Sequence, residues 1–177
     1  MADAAVRPSA VSPAGAGPMK HEKAYRAVFF TAGAYNILWG IYAVADPQWF
    51  FRLTGLPLSN TPQIFATLGM VLGLYGILYL DVALRPAQGW LVAAVALTGK
   101  ILGPLGLAWL ILTGTWPPAT VILAATNDLI WWIPFGLYLR AAWPAFRREF
   151  LATGKQTADL TGIGHTPSQR VDRTTFD

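Results

Sequence analysis

The chain has no cysteine and only two histidines, His21 and His165. The first absence excludes disulfides, Fe–S clusters, thiolate zinc sites and cysteine nucleophiles. The second excludes a buried bis-histidine haem and a histidine-rich metal centre, because both histidines fall in polar flanking segments. Charge is scarce as well. Asp, Glu, Lys and Arg make up 12% of the 177 residues, where a soluble domain carries about 25%. A chain so short of charge has lipid as its main solvent. Apolar residues make up 54% of it, and glycine, proline and tryptophan are abundant. Those residues suit close helix packing and interfacial anchoring in a membrane.

Four apolar runs stand out, at residues 24–45, 62–84, 89–113 and 118–139. Each has twenty or more residues, enough to cross a ~30 Å hydrocarbon core at about 1.5 Å per residue. The expected fold is all-α: an integral membrane four-helix bundle in one domain, residues 23–140. Residues 1–22 are rich in Ala, Pro, Ser and Gly without periodicity, and residues 154–177 are polar; both are expected to be disordered tails. Residues 141–153 mix Phe146 and Phe150 with Arg147 and Arg148. They read either as an amphipathic segment on anionic lipid or as a solvated basic extension.

The run ends have chemical causes. Asn60 or Thr61 is expected to cap the second helix, with Pro62 in its first turn. Arg85-Pro86 closes that helix, and residues 114–118 form a second hairpin. The aromatic segment 47–58 reads as an interfacial loop or half-helix. Trp49, Trp90, Trp116 and Trp143 fall near helix ends, where amphipathic rings are favoured. With the N-terminus inside, Arg7, Lys20, Lys23, Arg26, Arg85, Arg140, Arg147, Arg148, Lys155, Arg170 and Arg173 are cytoplasmic, and the outer loops hold only Arg52. The positive-inside rule therefore predicts N-in and C-in. Ala43-Val44-Ala45 resembles a signal-peptidase site; cleavage at Ala45 would leave three helices. The long preceding tail and Asn36 within the apolar run argue for retention.

Polar side chains inside the runs are the candidate site. Lys100 lies about eleven residues, or ~17 Å, into the third run, and Asp128 about ten, or ~15 Å, into the fourth. Asn36 and Asn127 sit at similar depth. One charge there costs ~3 kcal/mol on insertion scales, so a Lys100–Asp128 pair is expected, with Asn36 or Asn127 supplying hydrogen bonds. Such a cluster is either a binding or proton-handling site or a buried clasp that fixes helix register. Tyr75 and Tyr79 either line a pocket or pack as aromatics, with Tyr35 and Tyr42 on the first helix. Trp131 and Trp132 either wall a ligand pocket or fill space. Asp81 and Arg85, four apart, share a face and form an interfacial ion pair. Pro104 and Pro134 free the carbonyls of Lys100 and Ile130. Glycine stripes at 33 and 40, at 69, 73 and 76, and at 99, 103 and 106 allow close packing within the bundle or a homo-oligomer face.

The set Tyr35-Asn36, Trp39-Gly40, Tyr75-Gly76, Gly99-Lys100 and Asn127-Asp128 through Pro134-Phe135 resembles small bacterial four-helix membrane proteins, loosely the DoxX-like group. That resemblance covers residues 24–140. It implies a four-helix bundle in a bacterial inner membrane and supplies no catalytic residue. Three functions compete. One binds or passes a small amphipathic ligand or a proton at the polar cluster. The second is an accessory subunit whose polar residues lock helices to each other or to a membrane partner. The third is an enzyme on a lipid-soluble substrate, with Asp128 as acid/base tuned by Lys100. No reaction is spelled out, so a non-enzyme is the default. No metal, cofactor or nucleic acid is expected; membrane lipid is.

Overall fold

The computed structural model describes residues 19–161, with side chains through residue 153. It is all-helical with four helical segments long and apolar enough to cross a membrane. Helix α1 spans Glu22–Ala45 and a short α2 spans Trp49–Thr54. Next come α3, Pro62–Leu84, and α4, Trp90–Leu112. The fourth span is composite. A 3₁₀ turn, Pro118–Thr120, leads into α5, Val121–Ala124. A π turn, Ala125–Leu129, then leads into α6, Ile130–Thr161.

Two differences from the sequence expectations concern that last helix. It does not stop near residue 139 but runs on through Pro144 to Thr161. Residues 141–153 thus continue α6 rather than forming a helix of their own, and residues 154–161 are helical where a disordered tail was expected. Pro144 lies inside α6, and one turn before it Trp90 Nε1 donates to the Leu139 carbonyl at 3.0 Å. Trp90 also stacks on Phe146, with centroids 4.3 Å apart. The expected tails at 1–18 and 162–177 lie outside the described residues.

The turns follow local chemistry. Arg85 precedes Pro86, which disfavours helical backbone at that residue, and α3 ends there. Gly114, at φ 70°, takes the left-handed turn that closes α4. The expected side-chain cap on α3 is not formed. Instead Ser59 Oγ accepts the Thr61 N–H at 3.1 Å. Gln48 bonds the Ser59 carbonyl at 2.7 Å and the Ser59 N–H at 3.0 Å, pinning the loop beneath α2.

The most extensive packing in the bundle joins α1 and α3. Glycines make it possible. A Cβ on Gly40 would lie 2.5 Å from the Gly69 carbonyl oxygen, and one on Gly76 would lie 2.7 Å from that of Gly33. The third stripe behaves differently: a Cβ on Gly99 or Gly106 would meet nothing within 4 Å. The fourth span packs mainly on α4. Phe29, Tyr79, Phe135 and Tyr138 join the two pairs in a fully or almost fully buried aromatic core, with Phe29 stacked on Phe135 at 4.6 Å.

Helix ends gather into two layers. Arg26 Nη1 donates to the Ala83 and Leu84 carbonyls, each at 3.1 Å, which satisfies acceptors left open at the α3 C-terminus. Tyr138 donates to the Pro86 carbonyl at 2.7 Å. These contacts place Lys20, Lys23, Arg26, Arg85, Arg140, Arg147 and Arg148 at one end of the bundle. The other end holds Arg52, which pairs with Asp46. The Asp81–Arg85 ion pair expected from spacing is present.

Candidate functional site

The polar cluster forms where α4 crosses the π turn. Lys100 is 4% exposed, and its Nζ donates to the Asn127 carbonyl at 2.6 Å. The same nitrogen lies 3.6 Å from Asp128 Oδ1. Asn127 Nδ2 also donates to Asp128 Oδ1, at 3.1 Å. The expected pair therefore exists, with Asn127 serving both partners: its backbone holds the ammonium and its side chain holds the carboxylate.

The π turn explains this double service. In an α-helix a carbonyl is occupied by the N–H four residues on; a π turn shifts that bonding to five and disturbs the ladder. Asn127 and Asp128 both lie within the π turn and both line the cavity. Opposite them, Gly103 leaves room for the carboxylate. A Cβ there would lie 3.3 Å from Asp128 Oδ2.

A second backbone carbonyl is involved. Pro104 has no N–H to give to the Lys100 carbonyl. Trp132 Nε1 donates to that carbonyl instead, at 2.8 Å. The freed carbonyl is thus not an exposed cavity wall. It is a socket for the indole, and Trp132 is a strut between α6 and α4. Trp131 faces elsewhere: its ring lies 6.2 Å from Tyr35 and 6.0 Å from Phe135. Neither tryptophan lines the cavity at the cluster.

That cavity is about 70 Å³ and is lined by Asn36, Leu72, Tyr75, Tyr79, Val95, Ala96, Lys100, Asn127 and Asp128. It has room for a few water molecules, not for a quinone or sterol ring. Tyr75 and Tyr79 line the cavity and also pack as aromatics, Tyr79 against Phe29 and Phe135. Asn36 is 1% exposed, and its carboxamide makes no hydrogen bond of good geometry, with the Tyr79 hydroxyl as its nearby polar neighbour. It faces the cavity without bonding the ion pair. Asn127 Oδ1 is likewise buried without a partner. On one side the wall is thin, because Val95 is half exposed on the outer surface of α4.

Sequence reasoning brought together every member of this cluster except its apolar wall. It missed the π turn, for which the residues Ala125–Leu129 carry no plain signal. It also missed the Trp132 socket, although Pro104 announced an open carbonyl at Lys100. No family model, curated protein or solved structure matches the chain.

Proposed function

We infer that this chain is a protein of the bacterial cytoplasmic membrane that holds and passes a proton at the Lys100–Asp128 pair. The observation that carries this reading is the buried Asn36 carboxamide, without a hydrogen bond of good geometry, facing the same small cavity as the buried ammonium and carboxylate. An unbonded buried polar group costs about 1–3 kcal/mol, so the cavity favours a polar occupant of the size of water. A hydronium reaching it gives its proton to the Asp128 carboxylate and leaves as water. Lys100 keeps the Asn127 carbonyl meanwhile. The reverse step discharges the proton. An amphipathic ligand, and an enzyme acting on a lipid-soluble substrate, are both disfavoured by the cavity volume. The DoxX-like resemblance supports the bacterial membrane setting.

The test is proton uptake into proteoliposomes carrying an internal pH-sensitive dye under an imposed potential. Uptake faster than in protein-free vesicles is expected, with Asp128→Asn returning it to that baseline. Equal rates with and without wild-type protein would sink the proposal. If a small molecule instead copurifies and is lost in Asp128→Asn, the ligand reading takes its place.

The basic end of the bundle is read as cytoplasmic, giving N-in and C-in by the positive-inside rule. Because the chain has no cysteine, single cysteines report without background. Ser59→Cys in intact cells should react with an impermeant maleimide, and Lys23→Cys should not.

A second reading rests on the two α4-to-π-turn and α4-to-α6 bonds, Lys100 to Asn127 and Trp132 to Lys100. Both fix helix register, as an accessory subunit would need. The exchange Lys100→Asp with Asp128→Lys separates the readings. A folded exchange variant without proton uptake supports the site; full recovery of every wild-type property supports the clasp.

A further inference from the structure

At the basic end, between the start of α1 and the middle of α6, lies a cavity of about 570 Å³. Its volume falls in the range of ordinary ligand sites, about 300–1,000 Å³. Four cationic or protonatable side chains line it: Lys20 and His21 from the α1 approach, and Arg140 and Arg148 from α6. The two arginines are eight residues apart, so they sit two turns apart on one helix face with Pro144 between them. Among the described residues none of the three lysine and arginine side chains has an ion-pair partner. The one acid on the rim, Glu22, is committed to Arg26 through two hydrogen bonds, at 2.8 and 3.0 Å. The floor is apolar, built from Tyr25, Leu137 and Ala141. The α1 N-terminus beside it carries no side-chain cap.

We propose that this cavity binds the phosphate of an anionic phospholipid headgroup, with Arg140, Arg148 and Lys20 as the phosphate-binding residues. The arrangement has what such a ligand needs. Converging cations without internal partners meet the phosphodiester, and arginine gives the fork geometry that phosphate accepts. The apolar floor takes the glycerol and the start of the acyl chains. The position, at the ends of the spans, is the depth of lipid headgroups, where basic pockets between helices recruit anionic lipid. A free anion would use the same cations but not the floor, which is why the lipid is the assigned ligand. The assignment does not depend on which leaflet the basic end faces, nor on proton handling at Lys100.

The experiment is native mass spectrometry of the full chain released from nanodiscs of equal phosphatidylglycerol and phosphatidylcholine. Wild-type protein should retain phosphatidylglycerol in preference to phosphatidylcholine. Arg140→Gln with Arg148→Gln should lower that preference roughly tenfold or more, from the loss of two charge-assisted hydrogen bonds to the phosphate. Lys20→Gln alone should lower it about fivefold, which gives a reading that does not depend on the double variant's folding. The control, Lys23→Gln with Arg147→Gln, removes two charges from the same end outside the cavity and should leave the preference within twofold of wild type. Equal loss in the control would show general surface attraction and overturn the site. So would equal retention of the two lipids by wild type. Displacement of phosphatidylglycerol by 10 mM inorganic phosphate would make the ligand a free anion and overturn the lipid assignment.

Discussion

Replacing Trp132 with Phe removes the indole N–H together with part of the ring, so the role assigned to the Lys100 carbonyl is tested by a double-mutant cycle rather than by the single change. That carbonyl has lost its intrahelical donor to Pro104, and Trp132 Nε1 fills the gap at 2.8 Å. Leaving a buried acceptor empty costs about 1–3 kcal/mol. Hydrogen bonds between membrane helices measure lower, about 0.6 kcal/mol on average and ~1.7 at most. A loss of about 1 kcal/mol is therefore expected from the hydrogen bond in Trp132→Phe, beside the packing lost with the ring. The informative step is to repeat it in a Pro104→Ala background. Alanine restores an N–H four residues after Lys100, so the carbonyl regains a partner inside its own helix. The hydrogen-bond part of the Trp132→Phe cost should then fall below about 0.5 kcal/mol, with the difference appearing as a coupling energy. Denaturant-induced unfolding in mixed micelles, followed by tryptophan-independent helix signal, provides the four free energies. A cost of Trp132→Phe that is the same in both backgrounds would refute the socket.

Three further outcomes are expected. Gly40→Ala should destabilise the bundle by about 1–3 kcal/mol through overpacking, because its Cβ would meet the Gly69 backbone at 2.5 Å, whereas Gly99→Ala meets nothing and should be neutral or slightly stabilising; thermal unfolding in detergent compares them. Lys100→Met should cost about 3 kcal/mol by stranding Asp128, and Lys100→Met with Asp128→Leu should recover most of it; if the double variant is no more stable than the single, the pair does not carry the mutual compensation argued for it. Tyr138→Phe empties the buried Pro86 carbonyl and should lower stability by about 1 kcal/mol, measured in the same unfolding assay.

Much of the architecture was legible in the sequence because hydropathy and helix-breaking chemistry agree. Pro62 and Arg85-Pro86 bound α3 where they were expected to. The midplane cluster was legible for an energetic reason: two charges at one depth in lipid have few tolerable arrangements other than pairing. What was not legible depends on geometry between helices. The π turn at Ala125–Leu129 carries Asn127 and Asp128, and nothing in the local residue pattern announces it. The continuation of α6 past Pro144 has no signal in the local residues, where a proline after an apolar run reads as a stop. The glycine stripes looked alike, yet only those on α1 and α3 face one another. Which neighbour a stripe meets is set by the bundle, not by spacing along the chain.

The seam between α1 and α3 has a mechanical consequence. Where Gly40 meets Gly69 and Gly33 meets Gly76, backbone touches backbone. Such a joint has no side-chain rotamers to adjust, so the two helices behave as a single stiff plank. The α4 side is different: Gly99 and Gly106 meet no neighbour, and Val95 forms a thin outer wall over the polar cavity. On the proton-handling reading, the looser α4 side is the route for water to Asp128, and cross-linking α3 to α4 near Leu72 and Val95 should slow proton uptake.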